Sequence, residues 1–362
     1  MKLSLVIDEL VEERGLDRDL LSSIICEGMK AAYEKKYPGL VFQVEHNRKT
    51  DDLVVKVEKK VVSTPEDDEI EISLRKARGI DADAQLGQEI MVGFDGPIGR
   101  IEILRAKQVI ANKIRSIEAE AVYRDYIGKQ GSIVHGVIHK CERGGVTVKI
   151  GEALAFLPKS LSMPTDKCVV GFSIRALLKE VLKEPRNDNQ LILDRASAEF
   201  VQRLFELEIP EAFEKLIEIK KIVRTPGYKT KIAVVSNDKN IDPVGTCVGV
   251  GGVRIKPLLK ELGGEKIDII PWTDSVESLV AQALKPALVN RVEVVGDNAN
   301  VWLDEDQRSL AIGRMGQNIL LASRLTGLNI NLVQSEKKPA KVSFEDVVES
   351  SIDQEEEHSR DD

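Results

Sequence analysis

The sequence predicts a multidomain α+β protein, and three observations carry that prediction. A Gly-x-x-Gly turn occurs twice, at Gly249–Gly252 and Gly313–Gly316, 64 positions apart. Five short alternating strands with glycines at their bends fill residues 131–195. A long amphipathic segment, Arg100–Ile127, divides an N-terminal mixed region from all that follows. At 362 residues the chain can hold three or four small domains.

Composition narrows the function classes. An apolar fraction of 42% can fill real cores, whereas aromatic residues make up only 4%. The four cysteines, Cys26, Cys141, Cys168 and Cys247, form no C-x-x-C pair. This argues against a disulfide scaffold and a structural zinc site, and suits a reducing, cytoplasmic setting. The N-terminus turns acidic before any long apolar run, so no signal peptide is expected. No stretch approaches the ~18 apolar residues of a membrane span. The net charge of −8 is unevenly spread. Residues 131–200 and 220–335 are net +2 and +3, while residues 1–130, 201–219 and 336–362 are net −4, −3 and −6. The basic excess thus coincides with the strand-rich segment and the repeat.

In chain order, Leu5, Val6, Leu10 and Val11 predict a first helix. Leu20, Leu21, Ile24, Ile25 and Met29 predict a second, capped near Asp17 and ending before Pro38. Val41–Val44 and Leu53–Val62 alternate as strands about a turn at Asn47–Asp52. A strand Glu69–Ser73 and a helix Leu74–Arg78 follow, and residues 93–99 are loop. Arg100–Ile127, with Ile103, Val109, Ile110, Ile114 and Ile117 on its apolar side, would run about 40 Å as a helix. It reads as the element that leads the chain out of the first domain.

Strands at Gly131–His139, Arg143–Ile150, Ala153–Leu157, Ser173–Val181 and Gln190–Asp194 read as a closed barrel of the OB type. The spacing of Gly131, Gly136, Gly145, Gly151 and the Leu157–Pro158 turn resembles the S1-type RNA-binding barrel. Where many such barrels carry aromatics, this chain has Arg143-Gly144-Gly145, leaving Phe156, His135 and His139 as the candidate rings for base stacking. His135, Val137, His139 and Cys141 alternate onto one strand face, a pattern that invites a metal reading. No fourth ligand is evident, so no metal site is expected.

The repeat follows. Asp242 maps onto Asp306 and Gly263 onto Gly327 at the same offset as the two turns, which reads as a tandem duplication. After a helix Ala196–Leu207, the first copy runs helix Glu211–Leu216, strands Glu218–Val223 and Thr230–Val235, a helix capped by Asp242 with Pro243 at its first position, the turn, helix Val253–Leu262 and strand Lys266–Ile270. The second runs helix Ser275–Leu284, strands Arg291–Val295 and Asn300–Leu303, helix Asp306–Ile312, the turn, helix Gln317–Leu325 and strand Asn329–Val333. This α-β-β-α-α-β order resembles the KH fold of the second, prokaryotic type. Glycines let such a turn approach a nucleic-acid backbone without Cβ clashes, and the following helix offers unpaired N–H groups to phosphates. A dinucleotide fingerprint would need glycine where Arg254 stands, and no G-x-x-x-x-G-K-[ST] run exists. The candidate RNA-binding residues are Gly249, Val250, Gly251, Gly252, Arg254 and Lys256, then Gly313, Arg314, Met315, Gly316, Gln317 and Asn318, with His139, Arg143 and Phe156 on the barrel. Arg314 lies inside the second turn, whereas the first has no charge of its own, so Gly313–Gly316 is expected to be the stronger phosphate clamp.

Several stretches carry a more specific resemblance: Glu208-Ile-Pro-Glu, Glu218-Ile-Lys, Thr225-Pro-Gly, Lys229-Thr-Lys-Ile-Ala-Val, Asp242-Pro-Val-Gly, Gly264-Glu-Lys-Ile-Asp-Ile-Ile-Pro-Trp, Ser309-Leu-Ala-Ile-Gly-Arg and Ala106-Lys-Gln-Val-Ile. Over nearly all of residues 1–335 the chain resembles the NusA family of bacterial transcription elongation, termination and antitermination factors. The resemblance implies a cytoplasmic, non-enzymatic, monomeric protein with no cofactor and no membrane contact. Its partners would be RNA polymerase, nascent single-stranded RNA and other Nus factors. It also implies an RNA polymerase-binding domain at 1–128, an S1-type barrel at 129–198, KH domains at 199–273 and 274–335, and a disordered acidic tail at 336–362. That tail is shorter than the acidic C-terminal domains of some members, whose regulation is expected to be absent. A general RNA-binding protein of RNA decay or ribosome maturation would share the barrel and KH pair but would not need residues 1–127. A nuclease would need clustered carboxylates or a His-based acid–base set, and neither is found.

Overall fold

The computed structural model describes Ile7, Val11, Glu12 and residues 17–334. Most of the first expected helix and the whole acidic tail lie outside the described residues, although Ile7, Val11 and Glu12 are helical. The chain divides into two compact units, Met1–Asp125 and Tyr126–Asp362.

In the first unit, helix α1 (Arg18–Lys36) starts where its cap demands, with the Asp17 carboxylate accepting from the Asp19 and Leu20 amides. Strands β1 (Phe42–Asn47) and β2 (Asp52–Val62) pair antiparallel, β3 (Glu71–Ser73) adds parallel to β2, and α2 (Leu74–Ala77) follows. A strand absent from the sequence reading, β4 (Glu89–Gly93), pairs antiparallel with β2. Its short apolar run has no clean alternation, so only the partner strand defines it. Helix α3 spans Arg100–Ile127, as the sequence predicts. Gly28 of α1 lets α3 come close, since a Cβ there would lie 2.4 Å from Ile110 and 3.2 Å from the Ala106 carbonyl oxygen. Leu21, Ile24, Ile25 and Ile114 close this core. The apolar side of α3 is the expected one at Ile110, Ile114 and Ile117, which pack into this core, whereas Ile103 at its start is exposed, as are Ile101 and Leu104.

The second unit opens with the barrel. Strands β5 (Ile133–Glu142), β6 (Gly145–Ile150), β7 (Ala153–Pro158), β8 (Ser173–Arg186) and β9 (Asn189–Asp194) close in the order β5-β6-β7-β9-β8. The Tyr126 hydroxyl, at the end of α3, donates to the Ile150 carbonyl at 2.9 Å. A bulge between Ile138 and Lys140 breaks the alternation of β5. His135, His139 and Cys141 therefore do not share one face as expected. Cys141 is instead bonded to Cys168, which corrects the expectation of unpaired cysteines. The segment between β7 and β8 returns to β5, a proximity that 27 positions of sequence separation conceal.

Helices α4 (Ala198–Glu208, capped by Ser197) and α5 (Pro210–Phe213) lead into the first repeat copy. It comprises β10 (Ile217–Thr225), β11 (Lys229–Ser236), α6 (Pro243–Val248), α7 (Lys256–Glu261) and β12 (Lys266–Pro271). The second comprises α8 (Val276–Ala283), β13 (Arg291–Val295), β14 (Asn298–Leu303), α9 (Glu305–Ile312), α10 (Gln317–Thr326) and β15 (Asn329–Gln334). Each copy has a three-stranded sheet, one pair antiparallel and one parallel. Two details differ from expectation. Asp304, not Asp306, occupies the cap position of α9. Helix α7 begins three residues late because Pro257 has no N–H to give the Val253 carbonyl.

The barrel and both copies are packed continuously. Met163 and Leu177 of the barrel share one core with Phe200, Leu204, Ile232 and Leu258. Ala233 and Ile270 of the first copy enter the core of the second. A polar seam accompanies the first junction. Arg195 pairs with Asp166 at 3.0 Å and Glu261 at 2.7 Å. Arg224 is buried against Glu265 at 2.9 Å and donates to the Arg195 and Ser197 carbonyls. Glu265 also accepts from the Gly227 amide and from the Thr230 hydroxyl. The Thr225-Pro-Gly and Gly264-Glu-Lys stretches are thus held together by one buried carboxylate, whose loss of a partner costs about 3–5 kcal/mol.

Candidate nucleic-acid interface

The two Gly-x-x-Gly turns adopt the same backbone. Their first glycines sit at φ/ψ of 73°/166° and 72°/173°, and their third positions at 61°/19° and 56°/25°. The last glycines have φ of 77° and 71°. Gly249 and Gly313 are fixed by packing as well as by φ. A Cβ on Gly249 would stand 2.9 Å from Arg254, and one on Gly313 2.7 Å from Asn318. Around Gly251 and Gly316 the space is open. The outer edge of each turn therefore offers bare backbone to an approaching chain. Where the first turn has Gly251 at its third position, the second has Met315, an exposed side chain held in the left-handed region at about 1–2 kcal/mol.

The surroundings differ. Helix α10 starts immediately at Gln317 and runs ten residues, so its positive end lies at the turn. After Gly252 the chain makes a further turn, and regular helix starts only at Lys256. The β10–β11 hairpin of the first copy supports the second turn. Tyr228 donates to the Arg314 carbonyl at 3.2 Å, Thr225 to the Gln317 side chain at 2.8 Å, and Lys229 to Asn318 Oδ1 at 3.1 Å.

Of the residues selected from sequence, Val250, Arg254, Lys256, Arg314 and Met315 are exposed beside their turns, and Gln317 is half-buried. Asn318 is not on the interface: it is 3% exposed, and its amide donates to the carbonyls of Leu284, Leu310 and Ala311. A short polar side chain at a helix start reads as ligand-facing in a sequence, and only packing reveals it as an internal staple. Arg254 pairs with Glu211 at 2.6 Å and donates to the Thr246 carbonyl at 3.1 Å. Its hydrogen bond holds the Glu211 carboxyl below the usual carboxylate range. On the barrel, His139 and Arg143 are exposed, while Phe156 is half-buried with its ring against Gly145. A Cβ at Gly145 would meet the Leu157 carbonyl oxygen at 2.2 Å, so this position excludes any side chain.

Two further cations join the first turn. Arg175 of β8 and Lys260 of α7 line a cavity of about 670 Å³ with Val253 and Lys256. Lys260 follows Lys256 at helical spacing and was legible in the sequence. Arg175 is placed there only by the packing of barrel on helix, and it is already paired with Glu208 and Glu261, each at 2.8 Å.

Comparison with known proteins agrees with this architecture. A family model described as the NusA N-terminal domain matches residues 2–120. Models of the NusA-like first and second KH domains match residues 195–272 and 276–340. The transcription termination/antitermination protein NusA of Rickettsia conorii is 33% identical over 355 residues, covering 96% of this chain and 70% of that protein. The NusA proteins of Thermus thermophilus and Bacillus subtilis are 33% and 32% identical, covering 91% and 89% of this chain and 89% and 88% of their own lengths. With identity of this level running through the first unit, the barrel and both KH copies, the chain belongs to the NusA family.

Proposed function

We propose that this chain is a cytoplasmic, non-enzymatic transcription factor that binds RNA polymerase and nascent single-stranded RNA, and so modulates pausing, termination and antitermination. The observation that carries the RNA half is the pair of turns with one backbone geometry, each edged by exposed glycine backbone and followed by cations or a helix start. The relatives named as transcription termination/antitermination proteins support the transcriptional half. In this reading residues 1–128 dock on polymerase, and 129–198, 199–273 and 274–335 form successive RNA-binding modules. Ile101 and Leu104 are the most exposed of the large apolar side chains on the described part of the first unit and are our candidates for docking. Val250, Arg254, Lys256, Arg314, Met315 and Gln317 would line the RNA path through the KH pair, and His139, Arg143 and Phe156 its barrel portion.

The test is direct. Purified full-length protein should bind a single-stranded RNA and retard RNA polymerase in the same buffer. Ile101→Glu with Leu104→Glu should weaken only the polymerase contact. If RNA pairs with about four phosphates, log K should fall with log salt with a slope near −3, at roughly −0.7 per contact. RNA binding with no polymerase binding would sink the transcriptional reading, and a flat salt response would sink the phosphate-clamp reading.

A further inference from the structure

The four cysteines fall into two kinds. Cys247 is buried, and burial pushes its thiol up to about 12; Cys26 is half-buried and also raised by burial. Cys141 and Cys168 are exposed, each directly follows a lysine (Lys140 and Lys167), and they are joined. Both are open to solvent, so a small disulfide or dithiol can reach them.

Their position gives the bond consequences. The connection between β7 and β8 is pinned near its start: Asp166 accepts from the Met163 amide at 2.9 Å and pairs with Arg195, while Pro164 packs against Gly227. It is pinned again at its end, where Gly171 donates to the Ile138 carbonyl at 2.8 Å and the Phe172 carbonyl accepts from Ile138 at 2.9 Å. Residues 167–170 between these anchors carry neither helix nor strand, and Cys168 ties them covalently to β5. Lys167 and Cys168 border a cavity of about 460 Å³ whose lining holds Arg143, Lys159 and Lys167, the carboxylates Glu142 and Asp166, and apolar groups such as Leu157.

We propose that Cys141 and Cys168 form a reversible thiol–disulfide site, and that its oxidation holds residues 167–170 against β5 so that the barrel cavity with Arg143, Lys159 and Lys167 in its lining is preorganised for RNA. The gating rests on the RNA-binding reading above. In a reducing compartment a disulfide of this kind is a transient, redox-sensing one. Oxidation uses a low-molecular-weight disulfide. One protein thiolate attacks a sulfur of that molecule, forming a mixed disulfide and releasing one small thiol. The second protein thiolate then displaces the other. Two protein S–H bonds and one small S–S bond are consumed, and one protein S–S and two small S–H bonds form. Two electrons pass from protein to small molecule, and a dithiol reverses the step. In the reduced state residues 167–170 must be ordered when RNA binds, an entropic cost the oxidised state has already met.

The experiment equilibrates the full chain with mixtures of oxidised and reduced glutathione. Free thiols are counted by alkylation and mass spectrometry, and binding of a labelled single-stranded RNA is followed by anisotropy. Oxidation should protect Cys141 and Cys168 together, leave Cys247 unlabelled throughout, and tighten RNA binding by about three- to tenfold. Cys141→Ser with Cys168→Ser should bind with the reduced affinity at every poise. Failure to form the bond, equal affinity in both states, or a redox response in the double variant would overturn the proposal. Loss of RNA binding in every state would overturn the RNA reading and the gating with it, while the alkylation pattern would still decide the thiol site.

Discussion

The two KH turns share a backbone and differ in where they keep their charge. At the second position the first copy has Val250 and the second Arg314. Two residues beyond each turn the first has Arg254, exposed and paired with Glu211, and the second Asn318, buried and bonded to three carbonyls. The cation stands inside the turn in the second copy and two residues beyond it in the first, and only the second copy has a buried staple. Duplication has kept the geometry that only glycine and the left-handed region permit. The side chains around it have been free to specialise, one turn braced from within its own copy and the other by its neighbour's hairpin.

The comparison can be broken at several points. The largest effect is expected at the staple. Asn318→Ala strands three inward carbonyls and the Lys229 contact, and should lower stability of the KH pair by about 1–3 kcal/mol in denaturant melts. Arg254→Ala should cost about 0.2–1 kcal/mol, as for a largely exposed ion pair. Equal costs would mean the two positions are not differentiated as the structure indicates. Next come the outer glycines. Gly316→Asp should weaken RNA binding about tenfold, near 1.4 kcal/mol, and Gly252→Asp by less. Neither Cβ meets a close neighbour and both positions carry the same left-handed strain, so the difference in affinity between the two variants is the readout. A larger loss at Gly252 would make the first turn the stronger clamp. Arg314→Ala should then flatten the salt dependence by about 0.7 in slope, a change measurable by titration at several salt concentrations. Smallest is Met315→Gly, which relieves the left-handed backbone at the expense of chain entropy. Melts should move by about 0.5 kcal/mol or less, and RNA affinity should fall by less than in Gly316→Asp.

Much of this architecture was legible in the sequence. Asp17 and Asp242 cap the helices they were expected to cap, and Gly263 and Gly327 take positive φ at equivalent places. Local signals of this sort are strong because one residue satisfies or terminates one element. The failures are those of partnership. Strand β4 exists because β2 offers an edge, Ile103 is exposed although Ile110, Ile114 and Ile117 of the same stripe are packed, and α7 starts late because of one missing N–H. The interface was half legible. Arg314 could be read from its place inside the turn, but the burial of Asn318 and the arrival of Arg175 beside Lys256 could not.

By itself the sequence determined the order of modules, the duplication and the conformation of both turns. Glycine spacing, caps and apolar periodicity are local constraints that the chain satisfies wherever it is. The tertiary structure alone decided which polar side chains face solvent, which cysteines meet, and how the barrel and both KH copies share their cores. Those outcomes depend on groups tens of residues apart competing for the same buried space. No local pattern encodes the winner.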